Sequence, residues 1–72
     1  MSQWPSSKAR KVFQALIRIG WREDGRLSGG SHRQLVRDGF PRFTWAFHDG
    51  EELGPQMLVR IAKRTGLTPS DL

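Results

Sequence analysis

Cysteine is absent from this 72-residue chain, which removes any disulfide framework and any thiolate metal site. Only two histidines stand beside scattered carboxylates, a poor ligand set for structural zinc. Stability has to come from packing, and neither a metal nor a cofactor is expected. Long apolar runs are missing as well: none exceeds three residues, as at Ala15-Leu16-Ile17, and the N-terminus has no apolar stretch of the kind a secretory signal carries. Neither a membrane span nor export by the common route is expected, so the default compartment is the cytoplasm. The length leaves no room for two lobes or a deep cofactor cleft, and a single domain over residues 1–72 is expected. The apolar residues, 36% of the chain, are enough to cover one face of a small sheet with a couple of helices.

Negative charge is also scarce. Seven Asp and Glu stand against twelve Lys and Arg, a formal net charge of +5. An excess of that size on so short a chain points to a polyanionic partner, nucleic acid first among them. Nine of the twelve cations are Arg, whose planar fork suits phosphate and base edges. Three Trp and four Phe offer rings on which bases can stack.

Ala9, Val12, Phe13, Leu16 and Ile17 recur at the three-four spacing of a helix buried along one stripe. With Ser6 or Ser7 as N-cap and Gly20 as a left-handed stop, the spacing predicts a helix from about Ser7 to Ile19. Lys8, Arg10 and Lys11 in its first turns oppose the helix dipole, a local conflict that hints at function. Between Trp21 and Phe47 the breaks at Asp24-Gly25, Ser28-Gly29-Gly30 and Asp38-Gly39-Phe40-Pro41 divide the chain into short antiparallel strands. The clearest is Arg42 to Phe47, where Phe43, Trp45 and Phe47 alternate with Arg42, Thr44 and Ala46. Its expected partner is Ser31 to Arg37, joined by the Asp38-Gly39 turn, and a first strand falls near Trp21 to Arg26. Gly54 and Pro55 then open a second helix with Leu58, Ile61, Ala62 and Thr65 inside. It ends at Gly66, with Leu67 folding back on Ala62 in a Schellman cap. The expected fold is α+β, a two-layer αβββα sandwich with both helices on one face of the sheet.

Ser28-Gly29-Gly30-Ser31-His32 places an amide-rich turn directly before a strand that begins with an imidazole. Gly29, Gly30 and Ser31 can admit a phosphate close to the backbone N–H groups. His32 can take a proton from a ribose 2′-hydroxyl or give one to a leaving oxygen. RNA carries its own nucleophile, so cutting it needs a positioned acid or base, cations for the charge developing on phosphorus, and a grip on the strand. A hairpin turn with a surface histidine has the same sequence. His48, at the far end of the third strand, is a second acid/base partner, a phosphate contact, or a strand-end residue with a structural hydrogen bond; the undetermined strand register leaves these open. No Ser-His-Asp or Cys-His pattern and no Walker-type loop is present. Phe43, Trp45, Phe47 and Phe13 read as core. Arg22, Arg26, Arg33, Arg37 and Arg42, with Lys8, Arg10 and Lys11, form the candidate RNA surface.

Taken in order, Gly20-Trp21, Gly30-Ser31-His32, the run from Ala46 through His48-Asp49-Gly50-Glu51-Glu52-Leu53-Gly54-Pro55, Leu58 to Ile61 and Gly66-Leu67 closely resemble the HicA family of bacterial toxins, mRNA interferases of type II toxin-antitoxin systems. The similarity runs from about Ser7 to Leu67. Two departures stand out: a slightly longer stretch between Gly20 and Gly30, and Ala46 where many members have Pro. The resemblance implies a double-stranded-RNA-binding-domain-like fold, a metal-independent endoribonuclease, RNA as substrate, and a HicB-like antitoxin that covers the site. The family's catalytic histidine falls on His32. On this reading Gly29, Gly30 and Ser31 shape the phosphate site, and Arg33, Lys8, Lys11, Arg26 and His48 contact RNA.

Three rivals compete with it. Leu58 to Leu72 reads like the first helix, turn and second-helix cap of a helix-turn-helix, yet a recognition helix needs about eight residues or more and too few follow. A non-catalytic RNA-binding module on the same fold would use His32 as a groove contact. An adaptor with exposed Trp4 or Trp21 as hot spots leaves the charge excess unexplained.

Overall fold

The computed structural model describes residues 3–26, 28–29 and 32–72. Its elements in order are β1 (Ser7–Lys8), α1 (Ala9–Arg18), β2 (Arg22–Glu23), β3 (Arg33–Val36), β4 (Phe43–Trp45), β5 (Glu52–Leu53) and α2 (Pro55–Thr65), followed by a 3₁₀ turn over Pro69–Asp71. The αβββα order holds, with β2, β3 and β4 in one antiparallel sheet in that order. The fold is small, α+β and of the double-stranded-RNA-binding-domain type. One pairing was not expected: Ser7 and Lys8 lie antiparallel to Leu53 and Glu52, a two-stranded sheet that ties the entry of α1 to the entry of α2.

That pairing moves the start of α1. Ser6 and Ser7 do not cap it, and the helix begins at Ala9, with no side-chain cap at Lys8. The first N–H groups of a helix need outside acceptors. Here they find backbone: the Ala9 N–H donates to the Glu51 carbonyl at 2.8 Å and the Arg10 N–H to the Asp49 carbonyl at 3.1 Å. The conflict between the early cations and the dipole is thereby eased. The loop seated on this helix end carries Asp49, Glu51 and Glu52, and the Lys8 ammonium sits 3.4 Å from Glu52.

At the other end of α1, Gly20 takes a positive φ of 115°. The Trp21 N–H reaches back to the Leu16 carbonyl at 3.0 Å and the Gly20 N–H to Ile17 at 3.2 Å, the two bonds of a Schellman cap. The apolar contact of that cap is Trp21 itself, 1% exposed, beside the buried Leu16. Its indole N–H donates to the Thr65 carbonyl at 3.0 Å, so the ring's one polar atom is paired inside the core. Trp21 is therefore neither a stacking platform nor an adaptor hot spot, and Trp4 is half-buried against the same core. For α2, the Gly54 N-cap, the Pro55 start and the left-handed Gly66 (φ 78°) stand as the sequence indicates. The Schellman cap expected at Leu67 does not form: the Leu67 N–H goes to the Thr65 hydroxyl oxygen at 3.3 Å instead.

The strands are shorter than their sequence patterns. Trp21 is drawn into the core ahead of β2. Asp24 then closes a turn by accepting the Arg26 N–H on its carboxylate at 3.0 Å, as Asp side chains do. Beyond β3, Gly39 (φ 85°) turns the chain, but Phe40, Pro41 and Arg42 lengthen the connection, and the last pair before it is Leu35 with Phe43. Leu35 and Trp45 are buried on the helix side of the sheet. There Phe13 of α1 meets Trp45 edge-on at 5.5 Å and Phe47 meets Trp45 at 5.0 Å. The alternation read for Arg42 to Phe47 thus places its aromatics inward, with Arg42, Thr44 and Ala46 exposed. The stretch read as the cap of a second DNA-binding helix is the single 3₁₀ turn, closed by a reciprocal Thr68–Asp71 capping box.

Candidate nucleic-acid interface

The β2–β3 hairpin holds the predicted histidine at its tip. Gly29 and His32 face each other and exchange both backbone hydrogen bonds at 3.0 Å, the close pair of an antiparallel ladder. Gly30 and Ser31, the predicted phosphate-shaping residues between them, lie outside the described residues. Below the tip, Ser28 works as a peg. Its hydroxyl donates to the Asp24 carbonyl at 3.0 Å and accepts the Gln34 N–H at 2.9 Å, standing in where the ladder would place a backbone carbonyl. Ser28 was visible in the sequence as a turn residue, but nothing in its spacing announced this second bond across the hairpin.

His32 is exposed. Side chains alternate along a strand, so His32 shares the face of Gln34 and Val36, away from the helices. Arg33 and Leu35 turn inward. On the outer face the Thr44 hydroxyl bonds the Gln34 side chain at 2.9 Å. Arg33 pairs with Trp45 in the ladder, and one step further in the same register brings Ala46 opposite His32. The outer face therefore carries Arg22 opposite Val36 on one flank, Gln34 with Thr44 in the middle, His32 at the hairpin end and Arg42 ahead of β4.

The predicted cations divide into two sets. Arg33 is on the other side of the sheet, its guanidinium 5.1 Å from the centre of the Phe13 ring, so it rims α1 rather than flanking His32. One helical turn before Phe13 is Arg10, which a three-residue spacing brings to the same side. Lys11, two residues away, points elsewhere on the exposed face of α1. Lys8 is committed to Glu52 and to the Gly50 carbonyl at 3.3 Å. Arg26 lies almost fully in solvent, 3.6 Å from Asp24. Arg37 leaves the RNA surface proposed for it: its guanidinium donates to the Thr65 carbonyl at 3.3 Å and stacks 4.6 Å from the centre of Phe40.

His48 is a turn residue. Its carbonyl accepts the Glu51 N–H at 2.9 Å and its own N–H donates to the Glu51 carboxylate at 3.3 Å. His48 is exposed and lies beyond the end of β4, outside the ladder that pairs β4 with β3. Among the described residues no three His, Asp or Glu side chains converge as a metal-holding group, and no helix is long and apolar enough to cross a membrane.

A small basic α+β domain with a solvent-facing sheet, arginines on that sheet and an imidazole at a hairpin tip has the form of a protein that acts on RNA. The family model described as HicA toxin of bacterial toxin-antitoxin matches residues 9–67, and the chain belongs to the HicA toxin family. That places it among toxin-antitoxin mRNA interferases, a family that is in general endoribonucleolytic, with RNA as substrate and an antitoxin as partner. No curated protein matches the chain.

Proposed function

We infer that this chain cuts messenger RNA with His32 as general acid or base and without a metal ion, in the cytoplasm, and that a HicB-like antitoxin covers the exposed sheet face to silence it. The observation that carries the reading is the exposed imidazole at the end of a paired hairpin, in a chain of an mRNA interferase family. The ribose 2′-oxygen attacks the adjacent phosphorus as it loses its proton, the bond to the 5′-oxygen breaks, and that oxygen leaves with a proton. The products are a 2′,3′-cyclic phosphate and a 5′-hydroxyl. His32 accepts the first proton or supplies the second, and each such transfer contributes roughly 10²–10⁴-fold in rate. Gly29, whose own N–H is already donated to the His32 carbonyl, leaves room for the phosphate by lacking a side chain, and Gly30 and Ser31 complete the phosphate site. Arg26 holds the strand beside the hairpin, the α1-side cations Arg33, Lys11 and Lys8 contact it where it passes the rim of that helix, and His48 is a phosphate contact rather than the acid or base.

One observation favours the binding-only alternative: among the described residues nothing hydrogen-bonds the His32 ring, so no second group orients it. Purified protein incubated with RNA in chelator, beside His32→Ala, separates the two. The enzyme reading expects cutting by the parent and intact RNA with the variant. Binding by both with cutting by neither establishes a non-catalytic module, and a requirement for a divalent ion overturns the metal-free step.

A further inference from the structure

The far end of β4 from His32 carries a second cationic cluster that the reading above does not use. A groove there is lined by Phe40, Pro41, Arg42, Phe43, Lys63 and Arg64, so it lies between the β3–β4 connection and the last turn of α2. Its three cations are exposed and, among the described residues, make no ion pair or side-chain hydrogen bond. The helix dipole accounts for Lys63 and Arg64 beside the α2 carbonyls. It does not account for Arg42, which comes from a different element and meets them across the groove. The nearest carboxylate in sequence, Asp38, pairs with none of them.

The groove floor is built rather than loose. Phe40 is clamped between the Arg37 guanidinium at 4.6 Å and Trp21 at 5.5 Å, and a Cβ on Gly66 would come within 3.3 Å of its ring. Arg42, Thr44 and Ala46 lie on one exposed edge of the sheet. Four residues at about 3.3 Å each put Arg42 about 13 Å along β4 from the position opposite His32. A stacked strand has one phosphate about every 3.4 Å, so a chain held at His32 reaches Arg42 within a few nucleotides.

We propose that this groove is a remote subsite for the sugar-phosphate backbone of the same RNA strand, with Arg42, Lys63 and Arg64 neutralising phosphates a few nucleotides from the one at His32. The proposal rests on the RNA-cutting reading and adds a length requirement to it. Oligonucleotides of about 2 nucleotides, shorter than the about 4 needed to cover that distance, occupy the His32 end alone, and those of about 16, the upper end of single-strand site sizes, span both ends.

The test measures binding of both lengths to the His32→Ala protein, with and without Arg42→Gln/Lys63→Gln/Arg64→Gln, as a function of salt. Three lost phosphate contacts at about 0.7 each lower the slope of log affinity against log salt by about 2 for the long RNA. At physiological salt that is a loss on the order of ten-fold or more, with the short RNA unchanged. Arg42→Gln alone, outside any helix, should give about a third of the slope change, which keeps the test independent of α2 stability. Arg18→Gln/Arg60→Gln, off the track, should leave the long-RNA slope in place. Equal long-RNA affinity and slope in parent and groove variant, or equal losses on both lengths, overturns the remote subsite while leaving cutting at His32 intact. Normal RNA binding by the groove variant together with lost affinity for the antitoxin assigns the groove to a protein partner and also overturns it. Failure of the parent with active His32 to bind or cut either RNA takes down the RNA-cutting reading itself.

Discussion

Two glycine-bearing turns flank β3, and their surroundings are opposite. The Arg37–Phe40 turn is knitted into the fold: Arg37 bonds the Thr65 carbonyl, Phe40 rests on Trp21, and Gly39 adopts a φ of 85° that other residues resist. Among its described residues, the Ser28–His32 turn shows backbone bonds between Gly29 and His32 and two bonds through the Ser28 hydroxyl. A Cβ would meet nothing within 4 Å at either Gly29 or Gly39, but the φ of Gly29 is not in the left-handed region and that of Gly39 is. The same kind of sequence punctuation thus yields an anchor on one side and an open ledge on the other. Binding residues are disproportionately carried on surface turns, and the exposed His32 stands at the end of this one.

The contrast breaks most visibly at the anchor. Trp21→Ala removes a fully buried ring and its bond to Thr65, and should cost about 3–5 kcal/mol in urea unfolding. A loss under about 1 kcal/mol would mean that the anchored turn is not integral to the core. On the ledge, His32→Ala should lower RNA cleavage by about 100-fold or more while shifting stability by no more than about 0.5 kcal/mol. A several-degree fall in Tm would make His32 structural and erase the distinction. The glycines sharpen it. Gly66→Ala forces a Cβ against Phe40 at a left-handed position and should cost about 1 kcal/mol or more, whereas Gly29→Ala should stay within about 0.5 kcal/mol and weaken RNA binding instead. Smallest is Lys8→Gln: the Lys8–Glu52 pair is more than half exposed on both sides, so less than about 0.5 kcal/mol is expected, fading further at high salt.

Much of the architecture was legible because it depends on neighbours in sequence. The α1 and α2 stripes, Gly20 and Gly66 as stops, Pro55 as a start and the alternation of Phe43, Trp45 and Phe47 are local patterns with local causes. What escaped depends on partners far along the chain. The serines before α1 look like caps, and the loop at Asp49–Glu51 supplants them. Leu67 looks like the closing residue of a Schellman cap, and the Thr65 hydroxyl takes its N–H. In the candidate site, His32 and Gly29 were singled out by type and spacing, and the fold pairs them across the hairpin end. Arg37 was placed on the RNA surface because charge reads as exposure in a sequence, while its guanidinium is held by the Thr65 carbonyl and Phe40; Arg33 is exposed, and only the fold shows that it lies over Phe13 on the helix side. Ser28 as a peg and Lys63 and Arg64 facing Arg42 were invisible, since each depends on a pairing across a turn or between layers.

By itself the sequence determined that this is a small, basic α+β protein with two amphipathic helices, an aromatic-lined sheet and a histidine after a glycine turn, because periodicity, punctuation and charge act over a few residues. The tertiary structure alone decided which arginines face solvent beside His32, what caps α1 and which turn is anchored. Those outcomes turn on strand register and on contacts between residues forty or so apart, such as Trp21 with Thr65 and Lys8 with Glu52, which no local pattern encodes.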